Sequence, residues 1–163
     1  MRWQERELRG ALPAGRIVPP ENLHVTLAFL GNRPSAELPS IAAALRAAAG
    51  TAGGLRLHLL GYRETRSVGM LTFDDEGGRA AALAADLQER LEELGVYRRE
   101  QRPWLPHLTV LRYRERPQLE PPFPELGVVV PSDAAVYISS LRPTGARYEV
   151  LEIVALGHRA LGT

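Results

Sequence analysis

The period of the hydrophobic pattern changes several times along this chain of 163 residues. Apolar and polar residues alternate over residues 23–30 and again from 107 to about 113, which is the pattern of half-buried strands. Leucines with helical spacing mark residues 79–94, and Gly95 follows them, so this segment is predicted to be an amphipathic helix. Several strand-like runs follow one another without a helix between them. This order favours an α+β fold with antiparallel sheets over a doubly wound parallel sheet.

Length and composition predict one compact domain over residues 1–163, because a chain of this length with 45% hydrophobic residues can bury a core. Two further helices are expected over residues 3–12 and 36–49. Further strands are expected over residues 16–18, 55–62, 67–73, 128–130, 134–141 and 148–156.

Two tetrads of the form His-x-Thr-hydrophobic lie inside the alternating runs. The first tetrad is His24-Val25-Thr26-Leu27, and the second tetrad is His107-Leu108-Thr109-Val110, which begins 83 positions later (107 minus 24). On a strand, a histidine and a threonine two positions later project from the same face. If the two strands face each other across a groove, two imidazoles and two hydroxyls converge on one small volume.

This set of groups suits the chemistry of a phosphate ester. A neutral imidazole can take a proton from water, and a protonated imidazole can give one to a leaving oxygen. Threonine hydroxyls can donate hydrogen bonds to the phosphate oxygens as charge develops on them. A single His-x-Thr in a strand is more often a surface or half-buried feature than a catalyst. The second copy favours a functional interpretation, with His24 and His107 as the catalytic candidates and Thr26 and Thr109 as the binding candidates.

Composition excludes several other classes of chemistry. The chain has no cysteine, and all 20 of its basic side chains are arginine, so disulfides, thiolate catalysis, Schiff bases and a P-loop lysine are impossible. Neither tetrad has a short-spaced second histidine or an adjacent carboxylate, so no metal site and no cofactor are expected. His58 and His158 stay outside the catalytic set. A net charge of +1 does not indicate a large footprint for long nucleic acid, although a small anionic ligand remains compatible with it.

No run of apolar residues approaches the ~20 that cross a bilayer, and the first ten residues lack the hydrophobic region of a signal peptide. We therefore expect a soluble, cytoplasmic protein that does not bind a membrane.

Residues 19–31, 102–112 and 141–148 resemble the two-histidine phosphoesterase superfamily, and most closely its RNA 2′,3′-cyclic phosphodiesterases, long called 2′-5′ RNA ligases. These blocks contain both tetrads and occur in the order of the family. The resemblance implies a bilobal fold of two antiparallel sheets with helices packed outside, a central cleft and a pseudo-twofold arrangement. Each lobe would carry one tetrad.

The resemblance also implies a reaction and a role for each site residue. The reaction is metal-independent hydrolysis of a 2′,3′-cyclic phosphate, on an RNA end or a nucleotide, to a 2′-phosphate. His107 would be the base that activates water and His24 the acid, although the sequence leaves the opposite assignment open. Thr26 and Thr109 would hold the phosphate. Reversible 2′-5′ joining of RNA ends at the same site, or noncatalytic binding of RNA ends or nucleotides, are the alternatives.

Arg112 matches an arginine that the family often carries after the second tetrad, where it would contact phosphate or ribose. Simple alternation places Arg112 on the face opposite His107, so it reaches the site only if the strand bulges or ends there.

One departure from the family concerns the beginning of the chain. Family members usually begin with an apolar strand before the first helix, whereas this sequence begins with the helix. A sheet that lacks this strand has an open edge, which favours pairing with a second chain. An edge-strand dimer is therefore one expectation for an oligomeric state that the sequence leaves open.

Overall fold

Helices and strands follow one another in the mixed order that the hydrophobic pattern predicts, and the α+β prediction is confirmed. A computed structural model describes residues 2–157, so His158 lies outside the described residues. The helices are α1 (Arg2–Glu7), α2 (Leu38–Thr51) and α3 (Arg79–Glu93). The strands are β1 (Gly15–Ile17), β2 (Leu57–Glu64), β3 (Val68–Asp75), β4 (His107–Tyr113), β5 (Val128–Val129), β6 (Asp133–Arg142) and β7 (Gly145–Ala155).

The strands form two sheets. One has five strands in the order β1-β4-β3-β2-β5, and the other consists of β6 and β7. Strand β4 is antiparallel to both of its neighbours, β1 and β3, and β6 is antiparallel to β7. The second tetrad therefore lies on a strand that is held on both sides, whereas the three-residue β1 is an edge strand.

Local signals set the ends of α3. The two carboxylate oxygens of Asp75 accept hydrogen bonds from the backbone N–H groups of Ala80 and Ala81, at 3.0 and 2.7 Å, and so satisfy donors that have no partner inside the helix. At the other end Gly95 has a φ of +72°, which favours glycine and stops the helix. No helix within residues 2–157 is long and apolar enough to cross a membrane.

Backbone contacts divide the chain into two units. The first unit comprises residues 2–26, 58–74 and 105–128, and it contains α1 and most of the five-stranded sheet. The second unit comprises residues 27–57, 75–104 and 129–157, and it contains α2, α3 and the two-stranded sheet. Both His-x-Thr triplets lie in the first unit, and the division falls between Thr26 and Leu27, inside the first tetrad. One lobe for each tetrad stays a prediction.

A β-bulge interrupts the pairing of β4 with β3. Met70 is opposite Thr109, but the next residue back along β3, Gly69, is opposite Leu111, so Val110 is the extra residue on β4. Val110 and Leu111 are consecutive and both are fully buried, at 0% exposure. Strict alternation would send these two side chains to opposite faces, whereas a bulge changes the direction in which the following residues point.

The strand predicted over residues 23–30 is wrong. A short 3₁₀ turn at Pro20–Asn22 precedes a segment that belongs to neither sheet, and Phe29, which the alternation places in the core, is 77% exposed. The carbonyl oxygen of Leu27 accepts a hydrogen bond of 2.8 Å from the side-chain amide of the buried Gln88 on α3. A side chain thus supplies one donor that a neighbouring strand would otherwise provide.

Candidate active site

His107, Thr109 and Arg112 share one face of the five-stranded sheet. On β3, Thr72, Met70 and Val68 alternate along the strand, so their side chains project from the same face. Their partners on β4 are His107, Thr109 and Arg112, respectively, and paired residues of adjacent strands also share a face. The bulge at Val110 therefore places Arg112 on the same face as His107. From the sequence, Arg112 is expected on this face only if the strand bulges or ends there.

Both histidines make the same local contact with the backbone. The Nδ1–H of His24 donates a hydrogen bond of 2.7 Å to the carbonyl oxygen of Asn22, and the Nδ1–H of His107 donates one of 3.0 Å to that of Leu105. A carbonyl oxygen can only accept, so the neutral ring in each case carries its proton on Nδ1 and its lone pair on Nε2. Each contact also fixes the orientation of its ring.

The first tetrad follows β1 in the chain. Gly15, Arg16 and Ile17 pair with Tyr113, Arg112 and Leu111, and the N–H of Val18 then donates to the carbonyl oxygen of Val110 at 3.0 Å. The chain thus leaves β1 towards the end of β4 at which His107 lies. His24 and Thr26 belong to the segment that comes next, and both are half-buried.

A buried glutamine joins β4 to the beginning of this segment. The Nε2 of Gln4 on α1 donates hydrogen bonds of 2.9 Å to the carbonyl oxygens of both Val18 and Val110, and only 1% of Gln4 is exposed. The side chain of Gln4 therefore links Val110, the extra residue of the bulge, to Val18, which precedes the segment with the first tetrad. Gln4 is not predictable as a buried residue from the sequence, because its position in a charged helix gives no local sign of burial.

A buried carboxylate organises the chain that follows β4. Oε1 of Glu64 accepts hydrogen bonds of 2.9 Å from the Tyr62 hydroxyl and from the N–H of Leu119, and Oε2 accepts from the N–H of Gln118 at 2.9 Å and from Nε of Arg116 at 3.2 Å. Burial, and secondly the Glu64 carboxylate, raise the pKa of Tyr62 well above its usual range. The same two causes raise the pKa of Tyr113.

Among residues 2–157 no group of three or more His, Cys, Asp and Glu side chains is placed to hold a metal ion.

Comparisons with known proteins identify the family to which the chain belongs. The sequence matches the family described as the 2′-5′ RNA ligase superfamily over residues 2–142. It is 34% identical over 160 residues to an RNA 2′,3′-cyclic phosphodiesterase of Thermus thermophilus, and the match covers 93% of this chain and 78% of that protein.

The fold is similar to two solved structures. The crystal structure of TT0787 of Thermus thermophilus has a TM-score of 0.74 and 28% identity, covering 97% of this chain and 91% of the other. The crystal structure of E. coli LigT complexed with 3′-AMP has a TM-score of 0.77 and 25% identity, covering 96% of this chain and 92% of the other.

Proposed function

Because the chain belongs to the 2′-5′ RNA ligase superfamily, we propose that it hydrolyses 2′,3′-cyclic phosphates on RNA ends or nucleotides to 2′-phosphates. The resemblance that the tetrads indicated is confirmed by the family match. A relative named RNA 2′,3′-cyclic phosphodiesterase supports the substrate class, and the complex of LigT with 3′-AMP supports a nucleotide ligand. The observation that carries the proposal is the common geometry of the two histidines, whose Nδ1 atoms both donate to the carbonyl two residues earlier.

The proposed reaction uses one imidazole as a base and the other as an acid. The base takes a proton at Nε2 from a water molecule, whose oxygen attacks the phosphorus. The bond between phosphorus and O3′ breaks, and the acid gives its proton from Nε2 to O3′. The products are a 2′-phosphate and a 3′-hydroxyl. We assign His107 as the base and His24 as the acid, following the resemblance.

The hydroxyls of Thr26 and Thr109 would donate hydrogen bonds to the non-bridging phosphate oxygens, which gain charge in the transition state. Arg112 lies on the same face as Thr109 and would contact a phosphate or a ribose of the substrate. The bilobal, pseudo-twofold arrangement with a central cleft is part of this proposal, as is a reaction without a metal.

The family description favours ligation as a second function of the same site. A 5′-hydroxyl would then replace water as the nucleophile at the cyclic phosphate, the bond to O3′ would break, and a 2′-5′ phosphodiester would form. The same pair of imidazoles would move the protons.

The test measures the products from an oligonucleotide that ends in a 2′,3′-cyclic phosphate and resolves the 2′- from the 3′-phosphate. We expect a 2′-phosphate, turnover that persists in chelator and a bell-shaped dependence of kcat/KM on pH. Loss of a general acid or base removes about 10²- to 10⁴-fold in rate, so His24→Ala and His107→Ala should each lower kcat by this factor. The matched control is His58→Ala on β2, which should retain wild-type kcat.

Three results would contradict the proposal. A 3′-phosphate product would assign the broken bond to O2′, and turnover abolished by chelator would require a metal. Tight binding of a 2′-phosphate nucleotide without turnover would instead identify a noncatalytic binding module. Joining of ends that bear a cyclic phosphate and a 5′-hydroxyl would establish the ligation reaction.

A further inference from the structure

Two arginines lie directly opposite each other on neighbouring strands. Arg16 of β1 and Arg112 of β4 are Cα partners in an antiparallel pair, and both are exposed. Like charges at directly opposite positions destabilise a sheet, since their Cβ atoms are only about 5 Å apart. Within residues 2–157 neither guanidinium has an ion-pair or hydrogen-bond partner. The pair is therefore a concentrated positive charge without a carboxylate to balance it.

The arginine pair lies on the face of the sheet that carries the histidine and the threonine of the second tetrad. Arg112 shares this face with His107 and Thr109, and Arg16 shares it with Arg112 because the two are partners. From Thr72, opposite His107, to Val68, opposite Arg112, is four residues along β3. At about 3.3 Å per residue, the pair lies ~13 Å from His107 along the strands, measured between Cα atoms. Each long side chain can cover part of this distance.

The chemistry of the proposed substrate gives this charge a ligand. A 2′,3′-cyclic phosphate ends the 3′ side of a strand, so every other phosphate of an RNA substrate lies on its 5′ side. The next anion along the strand is the phosphodiester that joins the terminal nucleotide to its neighbour. Guanidinium groups bind phosphate oxygens with two parallel hydrogen bonds, and two guanidiniums can serve both non-bridging oxygens.

We propose that Arg16 and Arg112 together bind the internal phosphodiester that precedes the terminal nucleotide. The preferred substrate is therefore the end of an oligonucleotide and not a free cyclic mononucleotide, which has no such phosphodiester. This inference rests on the proposed function, because it places the cyclic phosphate at the tetrads. Arg16 is the new part of this inference. The sequence indicates only a short strand over residues 16–18 and gives no sign that Arg16 binds substrate.

The test compares three substrates with the wild type and Arg16→Gln. These are 2′,3′-cyclic AMP, the dinucleotide ApA with a 2′,3′-cyclic phosphate, and the same dinucleotide with an uncharged methylphosphonate as its internal linkage. In the wild type, kcat/KM should be about ten-fold higher for the charged dinucleotide than for the other two. In Arg16→Gln this advantage in kcat/KM should fall to about two-fold or less, because KM for the charged dinucleotide rises while kcat stays the same. The dependence of log KM on log salt should decrease by about 0.7, the value for one phosphate contact on a single strand.

The matched control is Arg2→Gln, which removes the same charge from α1 and should keep the wild-type preference. An unchanged preference in Arg16→Gln would overturn the proposal, as would an equal loss on all three substrates, which indicates a structural role. If the wild type hydrolyses none of the substrates, the proposed function fails. Calorimetric binding of ApA with a 2′-phosphate then decides the arginine site separately, because Arg16→Gln should weaken this binding about ten-fold and equal affinities would refute the site.

Discussion

The buried carboxylate of Glu64 gives a stability prediction that can be worked from its contacts. Its side chain is 2% exposed, and its two oxygens accept four hydrogen bonds. Glu64→Gln keeps the shape but replaces one oxygen with an NH2 group. Whichever oxygen is replaced, one backbone N–H then faces the NH2 group, that of Leu119 at Oε1 or that of Gln118 at Oε2.

The expected loss has two parts, the one backbone N–H that loses its acceptor and the ion pair between the carboxylate and Arg116. A hydrogen bond to a charged group contributes about 1.5–3 kcal/mol, and a buried N–H without an acceptor loses this amount. Arg116 is 59% exposed, so its ion pair adds at most ~1 kcal/mol. Together these give a loss of about 3 kcal/mol in the free energy of unfolding, a large part of the 5–15 kcal/mol that typically stabilises a folded protein.

Urea unfolding of the wild type and Glu64→Gln, followed by circular dichroism, measures this difference. With a slope near 2 kcal/mol per M, the midpoint should fall by about 1.5 M, and the slope should stay the same. Arg116→Gln is the matched control, because it removes only the exposed partner and should cost less than ~1 kcal/mol. A loss below 1 kcal/mol for Glu64→Gln would contradict this prediction, since the buried carboxylate and its four donors would then contribute almost nothing.

Two further predictions concern the stability of the first unit. Gln4→Leu leaves the carbonyl oxygen of Val18 without its donor, whereas the carbonyl oxygen of Val110 keeps the N–H of Val18 as a donor. Urea unfolding should therefore show a loss of about 1–3 kcal/mol in the free energy of unfolding, and the exposed control Gln101→Leu should lose less than about 0.5 kcal/mol. Equal stability of Gln4→Leu and the wild type would contradict this prediction. Burial raises the pKa of Tyr62 above its ordinary value of 10.0, so above about pH 10 the unfolded chain loses a proton that the folded protein retains. The contribution of Tyr62 to the free energy of unfolding should therefore be fully present below pH 10 and be lost as the pH rises further. Tyr62→Phe should make the fall in this free energy less steep when unfolding is measured from pH 8 to 12. An equally steep fall in the variant would assign the effect to other groups.

Local signals made a large part of the fold predictable. The leucine stripe and Gly95 place a helix over residues 79–94, and α3 covers Arg79–Glu93. The alternation from His107 onwards places a strand over residues 107–113, and β4 has these bounds. In both cases the residues that determine the structure are next to each other in the sequence. Burial then follows the periodicity, as it does for Leu83, Leu87 and Leu91.

Features that depend on distant residues were not predictable in the same way. The first tetrad has the alternation of a strand, but a strand also needs a neighbour, and the carbonyl of Leu27 is bonded by the side chain of Gln88. The face of Arg112 depends on the bulge, which lies opposite Gly69. A Cβ at Gly69 would stand 2.3 Å from the Tyr62 hydroxyl, so the absence of a side chain leaves room for Tyr62 there. The sequence around Arg112 gives no indication of Gly69 or Tyr62, which lie on other strands.

The extra residue in β4 also restricts how the sheet can rearrange. A regular strand can slide along its neighbours by two positions and recover equivalent pairing, but a strand with an inserted residue finds no matching irregularity in the shifted position. Val110 therefore fixes the alignment of β4 against β3. An imidazole near one end of the strand and a guanidinium near the other stay at a constant separation, so the length of a molecule that contacts both is selected by the backbone.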